Sequence, residues 1–185
     1  MTSRERVRAL LLLLSVAVVS AGACRASEPE FRPTATIRDL MTGVVDPAAD
    51  VVWQAVRTTV TPEGADERMP RTDEEWAEVR RHALLLVEGS NLLLMSGRQV
   101  ARPGEKSAFP GIELEPGEIQ ALLDRDRDTW ATLAHGLHDA GMGALKAIDA
   151  RDAEGLLDAG SDIQVACENC HARYWYPNAP PPPAP

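Results

Sequence analysis

Apolar residues recur at intervals of three and four along most of this chain, and that spacing limits the fold more than any other feature. From Ile37 the series Ile37, Leu40, Met41, Val44, Ala48, Val51, Val52 and Ala55 lays one stripe along a helix. Asp46-Pro47 reads as an N-cap with proline in the first turn, so this helix is expected to kink or restart there. Thr61-Pro62-Glu63-Gly64 and Met69-Pro70-Arg71 bracket a loop. Thr72 then caps a second helix with acids in its first turn, running through Trp76, Val79, Ala83, Leu86 and Leu93 to about Met95. Glycines and prolines from Ser96 to Leu114 carry no sustained period and read as a long loop. Glu115-Pro116 opens a third helix, with Ile119, Leu123, Trp130, Leu133, Leu137, Ala144 and Ile148 along one side. Asp152 opens a fourth, which passes Leu156, Ile163, Cys167 and Cys170 and ends near Tyr174.

No stretch alternates as a strand would. The expectation is an all-α chain, an antiparallel four-helix bundle over residues 37–176. With aromatic residues at only 4%, its core would be mostly Leu, Val and Ala, which leaves room for a large flat cofactor to act as packing.

A length of 185 residues suits one domain. The first residues have a basic start (Arg4, Arg6, Arg8), an apolar run from Ala9 to Val19 and small residues at Ala21-Gly22-Ala23, the build of an export signal over residues 1–23. The run is short for a membrane span. The mature protein is therefore expected in the periplasm. Cys24 follows the cleavage site directly, where a bacterial lipoprotein carries its lipid, although Ala21 stands where a lipobox has leucine; Cys24 is a candidate lipid anchor. Residues 24–36 read as a polar linker, and 177–185, ending APPPPAP, as a Pro-rich disordered tail.

Net charge is -9 over the whole chain; cleavage before Cys24 leaves 16 basic and 27 acidic residues, a net of -11. Such a surface is a poor partner for nucleic acid and favours protein partners with basic docking patches. Only three cysteines are present, too few for a disulfide framework.

Two of them stand in Cys167-Glu168-Asn169-Cys170-His171. C-x-x-C-H is the attachment motif of c-type haem: the thiols add to the two vinyl groups and the histidine coordinates iron. On a helix the three residues stand at i, i+3 and i+4, on one face. A thioredoxin-like thiol pair begins a helix after a strand, whereas this pair ends a helix. A structural zinc site needs two further ligands at suitable spacing, and the sequence offers no second cysteine pair and no H-x3-H. Haem c is the expected cofactor, with Cys167 and Cys170 as covalent attachment points and His171 on the iron.

Helices of this order, with the motif near the end of the last one and followed by aromatics and an arginine, resemble the class II c-type cytochromes: the cytochrome c-prime group and its low-spin, methionine-ligated relatives. The resemblance spans about Ile37 to Tyr176. It implies a monohaem protein that carries single electrons between periplasmic redox partners and catalyses no bond-making, and it implies a homodimer. The residue opposite His171 comes, in that family, from the first helix, where Met41 lies on the apolar face; a thioether ligand favours reduced iron. Met41 is equally suited to be a core filler. The family often has an arginine four residues before the haem-facing position, and here Arg38 is three before Met41 and four before Thr42. If Leu40 or Thr42 faces the iron, the protein becomes a five-coordinate binder of NO or CO. Arg38 and Arg173 are candidate partners for the haem propionates.

Overall fold

The computed structural model describes residues 31–62 and 64–179 and is predominantly helical. The leader, Cys24 and the end of the Pro-rich tail lie outside the described residues. Thr36 opens the first helix with a capping box: its hydroxyl accepts from the Asp39 amide while the Asp39 carboxylate accepts from the Thr36 amide, both at 3.0 Å. Helix α1 (Ile37–Leu40) continues through a π-helical turn (Met41–Val45) into α2 (Asp46–Ala55).

Pro47 explains where that turn lies. A proline ring in a regular helix crowds the carbonyl four residues back and removes one hydrogen bond. Widening the preceding turn, so that the Asp46 amide bonds the Met41 carbonyl five residues back, lets the chain pass the proline without ending.

The segment read as a loop after this helix holds a hairpin. Strands β1 (Arg57–Thr61) and β2 (Gly64–Arg68) pair antiparallel, with Arg57 opposite Arg68 and Thr61 opposite Gly64. Every described residue of both strands is exposed, so neither face buries apolar residues and no alternation marks it in the sequence. Gly64 takes φ 137°, which an L side chain rarely adopts.

Helix α3 (Asp73–Leu93) begins in a second capping box between Thr72 and Glu75. The single helix expected from Glu115 to Ile148 is instead two: α4 (Pro116–Arg125) stops at Asp126, φ -129°, ψ 52°, and α5 (Arg127–Ala150) restarts beyond it. The apolar spacing from Leu123 to Trp130 runs straight through the break, so periodicity hides it. Arg151 in a left-handed conformation and an Asp152 cap then reverse the chain into α6 (Ala153–Tyr174).

Helix α5 packs along both α3 and α6, and α2 along α3 and α6. Two glycines let these axes approach. A Cβ at Gly141 of α5 would lie 2.8 Å from Val87 Cγ2 of α3, and one at Gly160 of α6 would lie 3.3 Å from Trp53 Cδ1 of α2. The main core gathers Val52, Ala83, Leu86, Ala144, Leu156 and Ile163. A second cluster, Leu40, Leu93, Val100, Leu123, Trp130 and Tyr174, sits where the 94–115 loop and α4 cover the ends of α1, α3 and α6. Buried Arg98 ties that loop down, donating to the carbonyls of Leu92 and Ala35 and to Met95 Sδ. Among the described residues no helix is long and apolar enough to cross a membrane.

Candidate functional site

Cys167, Cys170 and His171 occupy the last turns of α6, half-buried, with both thiols free. Cys167 packs against the main core and Cys170 against the second cluster, while Met41 borders both. Met41, from the far end of the chain, thus borders the same two clusters as the two cysteines. The two alternatives at that position separate: Leu40 is buried at 5% exposure, and Thr42 is exposed, its hydroxyl donating to the Arg38 carbonyl at 2.9 Å.

The electrostatics of the three groups share one cause. Burial pushes the Cys170 thiol up to about 12 and the Cys167 thiol up to about 11, with the charges of Glu168 and Asp46 acting in the same direction on Cys167. Burial lowers His171, against the opposing pull of Glu168 and Asp46. A redox thiol needs the reverse, a lowered pKa at a helix N-terminus or beside a cation; these thiols sit at a C-terminal helix end, whose dipole disfavours negative charge. Among the described residues no three His, Cys, Asp or Glu side chains gather as a metal-ion site.

Aromatic side chains close around the histidine. Its ring centroid lies 5.0 Å from that of Trp175 and 5.9 Å from that of Tyr176, both edge-on. The Tyr176 hydroxyl donates to Glu168 at 2.8 Å. Tyr174 points the other way, buried edge-on against Trp130 at 5.3 Å, with its hydroxyl on the Asp126 carbonyl. The His171 ring takes part in no hydrogen bond among the described residues.

Sequence reasoning missed Asp46. Its place before a proline marked a helix start, and nothing in the pattern said that the π-helical turn would set its charge beside Cys167 and His171. The two candidate propionate partners are already engaged. Arg173 pairs with Asp126 and lies 5.7 Å from the Tyr174 ring centroid, and Arg38 donates to the Lys106 carbonyl at 3.1 Å and faces Glu105 at 4.0 Å.

The remaining histidines and methionines lie apart. His135 and Met142 are exposed and His138 is half-exposed beside Asp139. His82 bonds the Glu78 carbonyl one turn back on its own helix, Met95 accepts from Arg98, and Met69 is exposed before Pro70.

Beside the site an open groove of about 400 Å³ runs between α2 and α6, with Trp53, Val56, Leu157 and Val165 on its walls. The Trp53 indole N–H donates to the Gly160 carbonyl at 2.9 Å and pins the two helices together at its floor. No family model matches the chain, and neither curated proteins nor solved structures yield a match.

Proposed function

We propose that the chain is an exported monohaem c-type cytochrome that carries single electrons between periplasmic redox proteins, built as an antiparallel four-helix bundle from the α1–α2 helix, α3, α5 and α6. One observation carries the reading: two thiols and an imidazole stand on adjacent turns at one helix end, and Met41 packs among the same apolar side chains.

The residues fit covalently bound haem. Cys167 and Cys170 are not joined to each other, and both lie against apolar surroundings rather than beside the cations that would activate them for exchange. His171 has its ring free of hydrogen bonds among the described residues, and burial shifts it toward the neutral form, the form that ligates iron. Haem bound there would supply a one-electron Fe(III)/Fe(II) couple. Cys167 and Cys170 would hold it, His171 would ligate the iron, Met41 would offer a thioether as a second ligand, and Trp175 and Tyr176 would keep water from the histidine.

The test is expression with the leader in a host that attaches haem c in its periplasm. We expect colour that survives acid-acetone extraction, a far-red methionine-to-iron band in the oxidised protein, and no change when carbon monoxide is added to the reduced protein. Cys167→Ala/Cys170→Ala should lose the colour on extraction, and Met41→Ala should lose the band and acquire carbon monoxide binding. Haem that extracts from the unaltered protein refutes the reading. A high-spin spectrum that shifts with carbon monoxide keeps the haem but replaces electron transfer with five-coordinate gas binding.

A further inference from the structure

Charge is distributed very unevenly over this molecule. Helix α2 carries Asp46 and Asp50 and no Lys or Arg; α6 carries Glu154, Asp158, Asp162 and Glu168, all exposed, and no cation before Arg173 at its far end. Elsewhere several acids pair with arginines: Asp39 with Arg102, Asp73 with Arg151, Asp149 with Arg80 and Asp126 with Arg173. None of the six acids of α2 and α6 has a cationic partner among the described residues.

Between these two helices lies the groove with Leu157 and Val165 exposed at 52% and 58%. We propose that this groove docks a protein partner that presents an apolar patch rimmed by lysine and arginine. Apolar side chains at the centre supply the contact that excludes water, and an unpaired acidic rim steers and orients a basic partner. A second copy of this chain is disfavoured as the occupant, because pairing groove to groove would set one acidic rim against another. Asp46 and Glu168 place the rim next to Cys167 and His171. That the partner is a redox protein rests on the haem reading; the groove and its charge do not.

The probe is a small, lysine-rich class I c-type cytochrome added to the isotope-labelled protein, with backbone amide shifts and calorimetry as readouts. Shifts should gather on α2 and α6, and affinity should fall as salt rises. With each rim pair worth roughly a factor of two, Asp50→Asn/Glu154→Gln/Asp158→Asn should weaken binding about eightfold. Asp66→Asn/Glu67→Gln/Glu74→Gln, the same charge change on the hairpin and α3, should weaken it less than about twofold. Val165→Ser should weaken binding without altering its salt dependence.

Equal losses in the two triple variants, shifts outside α2 and α6, or self-association through the groove would each overturn the proposal. Because amide shifts read binding with or without haem, a protein that takes up no haem when expressed with its leader in the haem-attaching host, yet binds at the groove, overturns only the cytochrome reading. A haem-bearing protein that binds elsewhere overturns only the docking face.

Discussion

Reactivity of the two thiols separates haem attachment from thiol redox chemistry, and its size can be worked out in advance. Consider the haem-free protein, made without its leader, in single variants that keep only Cys167 or only Cys170, reacting with an aromatic disulfide reagent at pH 8. Burial, reinforced by Glu168 and Asp46, moves Cys167 from 9.0 to about 11; burial, reinforced by Cys167, moves Cys170 from 9.0 to about 12, which is an upper bound once Cys167 is replaced. At pH 8 the thiolate fraction then falls about a hundredfold and about a thousandfold relative to an ordinary thiol. A thiolate of higher pKa is intrinsically more nucleophilic, with a Brønsted slope of about 0.4–0.5, which returns a factor of about eight for Cys167 and about twenty for Cys170. Scarcity of thiolate wins. Cys167 should react about tenfold, and Cys170 at most about fortyfold, more slowly than the same thiol in denaturant. Refutation is simple: rates equal to or faster than those of the denatured chain would mean that burial at the end of α6 does not suppress the thiolate. The thiol-redox alternative would then regain its footing.

Two further outcomes test the packing and capping. Gly141→Ala gains up to about 1 kcal/mol of helix propensity but drives a Cβ to 2.8 Å from Val87 Cγ2. Valine is stiff in a helix, and overpacking costs about 1–3 kcal/mol. The melting temperature should fall, whereas Gly136→Ala on the same helix, with nothing within 4 Å of its new methyl, should raise it. At the first helix, hydrogen bonds from the Thr36 amide and hydroxyl hold the Asp39 carboxyl below its usual range. Its folded pKa lies below its unfolded one, so its contribution is complete above about pH 4 and is lost as pH falls through the folded value. Melts between pH 5 and pH 2.5 should be less pH-dependent in Asp39→Asn than in the unaltered protein.

Much of the helical layout is legible in the sequence because amphipathic helices write their burial into spacing. Thr72 and Asp152 start α3 and α6 where the caps place them. What periodicity missed is what burial does not mark. The hairpin from Arg57 to Arg68 is exposed throughout, and the break at Asp126 leaves the apolar phase of Leu123 and Trp130 intact. At the site, the thiols and the histidine announce themselves by identity. Asp46 and the engagement of Arg38 and Arg173 depend on which turns meet across the fold, and a single sequence does not carry that.

The π-helical turn at Met41–Val45 has a consequence for phase. In a regular helix, residues five apart point well away from each other, and so do residues twelve apart. One residue taken up by the wide turn brings both spacings close to alignment, so Leu40 and Val45 are both buried, one in the second cluster and one in the main core, and Met41 packs with Trp53, seven residues beyond Asp46, against that core. The turn behaves as a one-residue insertion that the helix has absorbed without losing its partner. Its two halves are joined end to end like coupled shafts set at different angles, and the coupling carries Met41, which borders both apolar clusters.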